Sequence, residues 1–250
     1  MNKGFYMRNF LITLLCMFSF FTDARPVAKV VLVRGIFTKK VTINKKIKIR
    51  VNDLLNEGSI VETSKNSIAK IKLIDGSFLV IGPKSKIEIT LFKKDKPGII
   101  TLLNGQIRSK VRKSLNENRG SKYFIKSKNA AMGVRGTDFQ VRYLPKQNKS
   151  EVYVKEGVVK IANISNLIAS ELNAETLDDN LDSVFSEELH AGEYSNCIND
   201  NPPSSPKLVQ FSLRPLHFKV KSISNISKST TFNEDPVMRA AIASMANGRD

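Results

Sequence analysis

Near the middle of the chain, Gly133-Val134-Arg135-Gly136-Thr137-Asp138-Phe139 sets the Arg135 guanidinium between two glycines and follows it with the Thr137 hydroxyl and the Asp138 carboxylate. The chemistry offered is recognition: Arg135 is either held against a buried carboxylate or presented to a partner, with Thr137 and Asp138 beside it. Gly133 and Gly136 read as a strand-to-strand turn, since glycine accepts positive φ and close backbone approach. The spacing also matches the Gly-x-x-Gly loop that clamps RNA in one class of binding domain, but that loop joins helices and these flanks read as strands, so no nucleic acid is expected. Catalysis has little to draw on. Asp75, Asp138 and Glu156 are the carboxylates a glycosidase-like pair would need, yet each sits in a turn motif where it caps backbone amides. Nucleophilic chemistry needs a base, and His190 and His217 both lie outside the strand motifs. Two histidines cannot build a multi-histidine metal site, so no metal, no cofactor and no enzymatic activity are expected.

The elements around that stretch are strands. Residues 27–37, 46–51, 60–63, 68–74, 78–81, 86–92, 99–103, 106–111, 123–127, 137–143, 151–155 and 158–161 are rich in β-branched residues or alternate apolar with polar ones. Asp75-Gly76-Ser77 is a tight turn, Asn104-Gly105 reads as a hairpin, and Gly157 and Gly192 mark further reversals. Strands of five to seven residues with a turn about every ten define an all-β domain with mostly antiparallel neighbours, as a multi-stranded sandwich or a β-helix-like roll. No helix signal falls within 26–164.

Residues 1–24 read as a secretory signal: Lys3 and Arg8 precede the twelve-residue, mostly apolar run 10–21, and Thr22-Asp23-Ala24 suits cleavage. That run is shorter than the roughly 20 apolar residues of a membrane span, so no transmembrane segment is expected after cleavage. The mature chain then keeps Cys197 alone, read as an inert loop thiol, and the fold must rest on burial rather than a disulfide.

Charge is unevenly spread. Residues 25–165 hold 31 Lys and Arg against 10 Asp and Glu, whereas 166–200 hold none against 9. Lysines alternating with apolar residues, as in Ala69-Lys70-Ile71-Lys72-Leu73, belong on solvated strand faces and protected edges. In an exported protein the remaining excess suits anionic envelope components. The acidic insert 165–190 carries apolar residues at three- and four-residue steps, which allows short amphipathic helices; it is either a flap on the basic body or a solvated loop. A Pro/Ser/Asn-rich linker follows the domain at 199–206, and the extension to residue 250 has a short helix expected over 236–247.

Gly58-Ser59-Ile60-Val61-Glu62-Thr63, Asp75-Gly76-Ser77 with Gly82-Pro83-Lys84-Ser85, Leu102-Leu103-Asn104-Gly105, Val134-Arg135-Gly136-Thr137-Asp138-Phe139, Val154-Lys155-Glu156-Gly157-Val158 and Ala191-Gly192-Glu193 occur in this order. Together they make about residues 27–194, within a domain expected over 25–198, resemble the FecR-like domain of bacterial envelope proteins. The resemblance implies a periplasmic all-β domain. In the best-known members it belongs to a transmembrane transducer that relays the loading of an outer-membrane iron-siderophore receptor to a cytoplasmic sigma factor. Only nine residues precede the apolar run here, so the sigma-regulating role is not carried over and the free-standing, exported form of the family is expected. The functional expectation is a non-catalytic binding module of the periplasm or the secreted space, with an envelope protein or an anionic envelope glycan or lipid as partner. The alternative is a structural component of an envelope assembly.

Overall fold

The structure, a computed structural model, describes residues 26–91, 98–111, 123–165, 174–182 and 186–208. The expected signal 1–24, His217 and the expected helix over 236–247 lie outside the described residues. The strands are β1 (Pro26–Arg34), β2 (Phe37–Thr42), β3 (Lys45–Lys48), β4 (Leu54–Asn56), β5 (Ile60–Thr63), β6 (Ile68–Leu73), β7 (Phe78–Ile81), β8 (Lys86–Leu91), β9 (Gly98–Lys110), β10 (Tyr123–Lys126), β11 (Ala130–Val134), β12 (Asp138–Leu144), β13 (Lys149–Glu156), β14 (Val159–Asn163), β15 (Ser186–Leu189), β16 (Glu193–Ile198) and β17 (Lys207–Leu208).

They pair as two layers. The first runs β4-β1-β6-β7-β9-β12-β13-β16-β17. The second runs β3-β2-β5-β8-β9-β10-β11-β14-β15. All these pairings are antiparallel except β9 with β10. The core lies between the layers, where Val30, Ile71, Leu79, Ile107, Phe139 and Val152 of the first meet Phe37, Val61, Ile87, Ile100, Met132 and Ile161 of the second. The fold is therefore all-β. It joins the two expected forms: the layers face one another as in a sandwich, while the chain alternates between them and advances along both as in a roll. Most crossings turn on a residue with positive φ, among them Gly35, Gly58, Lys84, Gly105, Gly136, Gly157 and Gly192.

Strand β9 corrects the expected hairpin at Asn104-Gly105. It is one strand of 13 residues that belongs to both layers. Before the glycine the even positions Ile100 and Leu102 face the core, and after it the odd positions Ile107 and Ser109 are buried. Gly105, at φ +90°, shifts this phase as the strand passes from the second layer to the first. A Cβ there would lie 2.6 Å from Ser85 Cα and 2.8 Å from Lys84 O. Ser85 holds the corner, its Oγ accepting from Gln106 N at 2.9 Å. Asn-Gly favours left-handed backbone in both a hairpin and a corner, so only the neighbouring strands separate the two.

A second correction concerns Gly133. It is not a turn residue but a buried member of β11, opposite Phe124 of β10 and Lys160 of β14. β11 escaped the sequence reading because Ala130-Ala131-Met132-Gly133 lacks β-branched residues, and its burial on both faces removes the alternation. Its outward face is covered by α1 (Ala174–Leu181), part of the acidic insert. Leu177 and Leu181, one helical turn apart, pack with Ile99, Phe124, Ala131, Ala162 and Ile164 in a separate apolar cluster. Lys160 Nζ donates to Asp182 Oδ1 at 2.5 Å, which raises the pKa of Lys160. Eight residues cannot hold a helix alone, so this one exists by docking. Leu177→Ala is expected to cost about 2–4 kcal/mol at the docking site. Hydrogen exchange checks this: amides of 174–181 should lose protection while those of β12 and β13 keep theirs.

Beyond β16, the proline-rich residues 199–206 fold back on the domain. Ser204 N donates to Asn196 O at 2.8 Å, Ser195 Oγ donates to Ser204 O at 2.5 Å, and Pro203 is buried. Asn129 ties the same end together. Its Nδ2 donates to the carbonyls of Asn148 (2.9 Å) and Cys197 (3.1 Å), while its Oδ1 accepts from Ser150 Oγ at 2.7 Å.

Candidate functional site on the first layer

Inward and outward residues alternate along each strand of the first layer, so the face turned away from the core is set by those that frame it. Ala69, Ile71 and Leu73 point inward and leave Lys70 and Lys72 outward; Phe139 and Val141 do the same for Asp138 and Gln140. Strand register then brings distant residues into rows. Lys70 is opposite Val80, Val80 opposite Arg108, Arg108 opposite Gln140, Gln140 opposite Tyr153 and Tyr153 opposite Tyr194. A neighbouring row holds Lys72, Phe78, Lys110 and Asp138.

The centre of this face is an ion pair. Arg108 Nε donates to Asp138 Oδ1 at 2.7 Å and Arg108 Nη2 to Asp138 Oδ2 at 2.6 Å, with side-chain exposures of 9% and 5%. This two-pronged geometry fixes both groups. Asp138 thus takes its arginine from β9, thirty residues away, rather than from Arg135 in its own motif. Beside the pair, the Lys70 ammonium lies 4.6 Å from the centre of the Phe78 ring. Burial, and then the charges of Arg108 and Lys110, lower the pKa of Lys70 to about 8. At the other end of the face, Glu151 accepts from Lys149 at 2.8 Å and from Tyr194 Oη at 3.1 Å. The hydrogen bond to Glu151 raises the pKa of Lys149. Between these groups lies Gln140, 8% exposed, whose buried Oε1 has no hydrogen-bond partner among the described residues.

Lys70 gives a pH prediction. Its folded-state pKa is lowered, so the native state loses this proton near pH 8 while the unfolded chain keeps it to about 10.5. Across that window the unfolded state binds more protons and this group makes stability rise with pH. Lys70→Met is expected to be the more stable protein at pH 7, with its advantage shrinking between pH 8 and 10.5. Urea denaturation of both proteins across that range isolates the effect from other titrating groups.

The other singled-out residues separate. Arg135 and Gly136 form the corner between β11 and β12, with Gly136 at φ +64° and Arg135 half-buried. Thr137 is 1% exposed, and its Oγ1 has no hydrogen-bond partner among the described residues. Its Cγ2 lies 2.9 Å from where a Cβ on Gly157 would stand, so the Gly136-Thr137 and Gly157 corners pack directly on each other. Asp75 caps its own turn, accepting from Ser77 N at 2.9 Å and Ser77 Oγ at 2.7 Å, with Gly76 at φ +82°. Gly192, at φ +89°, turns the chain from β15 into β16. Glu156 is opposite Asp138 in register, but Asp138 is already committed to Arg108.

Cys197 is not in a loop: it lies in β16, fully buried, and burial pushes its thiol up to about 12. Such a thiol is a poor nucleophile. His190 stands at an exposed turn, 3.6 Å from Glu188. Among the described residues no group of three or more His, Cys, Asp and Glu is placed to hold a metal, and no helix is long and apolar enough to cross a membrane. Reading the sequence missed Lys70, Arg108 and Gln140 as a group, because each looks like an ordinary outward residue until register aligns it.

A two-layer all-β domain with a polar, ion-paired outer face is the class that fold and site define. Residues 59–160, from the turn before β5 to the start of β14, match the family described as FecR protein. No curated protein matches the chain. Two crystal structures of a candidate anti-sigma factor from Parabacteroides distasonis ATCC 8503 are similar to it, with TM-scores of 0.45 and 0.44 at 13% identity. In each case the match covers 60% of this chain and 59% of that one, so the chain spans less than two thirds of those proteins. Likeness at this level carries no functional argument.

Proposed function

We propose that this protein is an exported, non-catalytic interaction module of the bacterial envelope that engages a protein partner through the outward face of its first layer. Gln140 carries the reading: a buried acceptor left unpaired costs about 1–3 kcal/mol, and a donor from a partner would recover it. The Arg108–Asp138 pair beside it and the Glu151 cluster beyond supply fixed charges of both signs, which suit recognition of a protein surface. The match to the FecR family and the basic n-region and apolar run at 1–24 support the compartment, with cleavage after Ala24 giving the exported form.

Photo-crosslinking in the native envelope tests this. A photoreactive residue at Tyr153 is expected to capture one dominant partner, and Gln140→Met, which removes the orphan acceptor while leaving the fold intact, should weaken that capture. Identical adducts from Tyr153 and from a control position on the second layer would reject the face as the site. An N-terminus beginning at residue 25 in the isolated protein checks export.

A further inference from the structure

The hairpin β2–β3 stands apart from the rest of the second layer. Strand β2 pairs with β5 only through Phe37, Thr38 and Lys39, and among the described residues β3 pairs with β2 alone. Beyond Lys39 the arm is, among the described residues, a two-stranded ribbon without a third strand. Residues 41–48 are all exposed, and the arm lies outside the stretch that matches the FecR family. Its composition is unusual for a free ribbon. Lys39, Lys40, Lys45, Lys46 and Lys48 share it with Val41, Ile43 and Ile47, and residues 26–52 contain no acidic residue. Ile43 at the tip is 87% exposed, Val41 51% and Ile47 45%.

Edge protection explains some of the lysines, because charge on an edge strand blocks pairing with another chain. It does not explain the rest. Lys40 is directly opposite Lys46, a like-charge pair that destabilises a ribbon. Of the five lysines only Lys46 has an ion-pair partner among the described residues, Glu62 at 2.7 Å. An apolar tip in full solvent also works against edge protection. A basic shaft ending in exposed branched aliphatic side chains complements one kind of surface, where anionic headgroups overlie hydrocarbon.

We propose that the β2–β3 hairpin docks the protein on a bilayer containing anionic phospholipid, with Lys39, Lys40, Lys45 and Lys48 at the headgroups and Ile43 dipping below them. The inference rests on the envelope location proposed above but uses the opposite layer from the protein-binding face. Both surfaces can therefore be occupied at once.

The full exported chain is mixed with vesicles of phosphatidylcholine alone, or with about one third phosphatidylglycerol, and separated by flotation. Binding is expected only to the anionic vesicles and should weaken as salt rises. Each lysine near such a surface contributes roughly fivefold in partition, so K39Q/K40Q/K45Q/K48Q together should lose more than 100-fold. Ile43→Asn should weaken binding several-fold without altering its salt dependence. Ile43, Lys45 and Lys48 are exposed and Lys39 and Lys40 half-buried, and unchanged thermal melting of both variants confirms that the fold is intact. The chain has no tryptophan, which makes Ile43→Trp a sole reporter. Its emission should shift to the blue on anionic vesicles.

Binding that survives the lysine substitutions overturns the proposal. So does an unshifted tryptophan emission from the vesicle-bound Ile43→Trp variant, or full competition by a soluble anionic glycan with no effect of Ile43→Asn, which would mark the arm as a polyanion site. A negative vesicle result leaves the Tyr153 crosslink untouched, and a failed crosslink leaves vesicle binding untouched.

Discussion

Asp138→Ala is expected to destabilise the domain by about 3–5 kcal/mol, because it leaves the Arg108 guanidinium buried without its carboxylate. For a domain of this size that corresponds to a fall in melting temperature of about 6–20 °C. The pair sits where β9 meets β12, so its loss should also loosen the junction between the two halves of the first layer. The double replacement R108M/D138L separates pairing from bulk. Removing both charges in favour of apolar groups is expected to cost far less than Asp138→Ala alone, since neither charge is then stranded. Denaturant unfolding of the single and double variants measures the difference. If Asp138→Ala costs under about 1 kcal/mol, the pair is in effect a solvated surface bridge and the burial argument fails.

The second large effect belongs to the corner in β9. Gly105→Ala is expected to cost about 3 kcal/mol or more, as a Cβ must be accommodated against the Ser85 backbone while the residue holds φ +90°. Gly58→Ala is the matched control. Gly58 also has positive φ, at +75°, but a Cβ there would meet nothing within 4 Å. Its cost should be limited to the left-handed backbone, about 1–2 kcal/mol. Equal losses at the two sites would mean that β9 relaxes around its corner, and Gly105 would then act as an ordinary turn residue.

Much of the fold was legible in local pattern. β5 and β7 form over the residues expected from side-chain type and flanking turns, and β6, β8 and β10 over nearly the same ones. Asp75-Gly76-Ser77 forms the tight turn its residue types require. The motifs that pointed to the FecR family are largely places where the chain leaves one layer for the other. Their glycines were noticeable in sequence because the backbone there excludes most side chains.

The candidate site was less legible. Asp138 was singled out as a binding residue, but its partner Arg108 lies in another strand, and Lys70 and Gln140 join them only through the register of β6, β7, β9 and β12. The acidic insert likewise had two readings until Leu177 and Leu181 found an apolar patch on β10, β11 and β14.

The Gly133-to-Phe139 stretch shows the division most plainly. By itself the sequence determined that this stretch joins strands and carries a left-handed corner, because side-chain branching and the freedom of glycine act within a few residues of the chain. Only the tertiary structure decided that Gly133 belongs to a strand, that Thr137 packs on Gly157, and that Asp138 binds Arg108. Each of those outcomes depends on which strands lie side by side, and that is set by how the two faces of every strand are shared among distant neighbours.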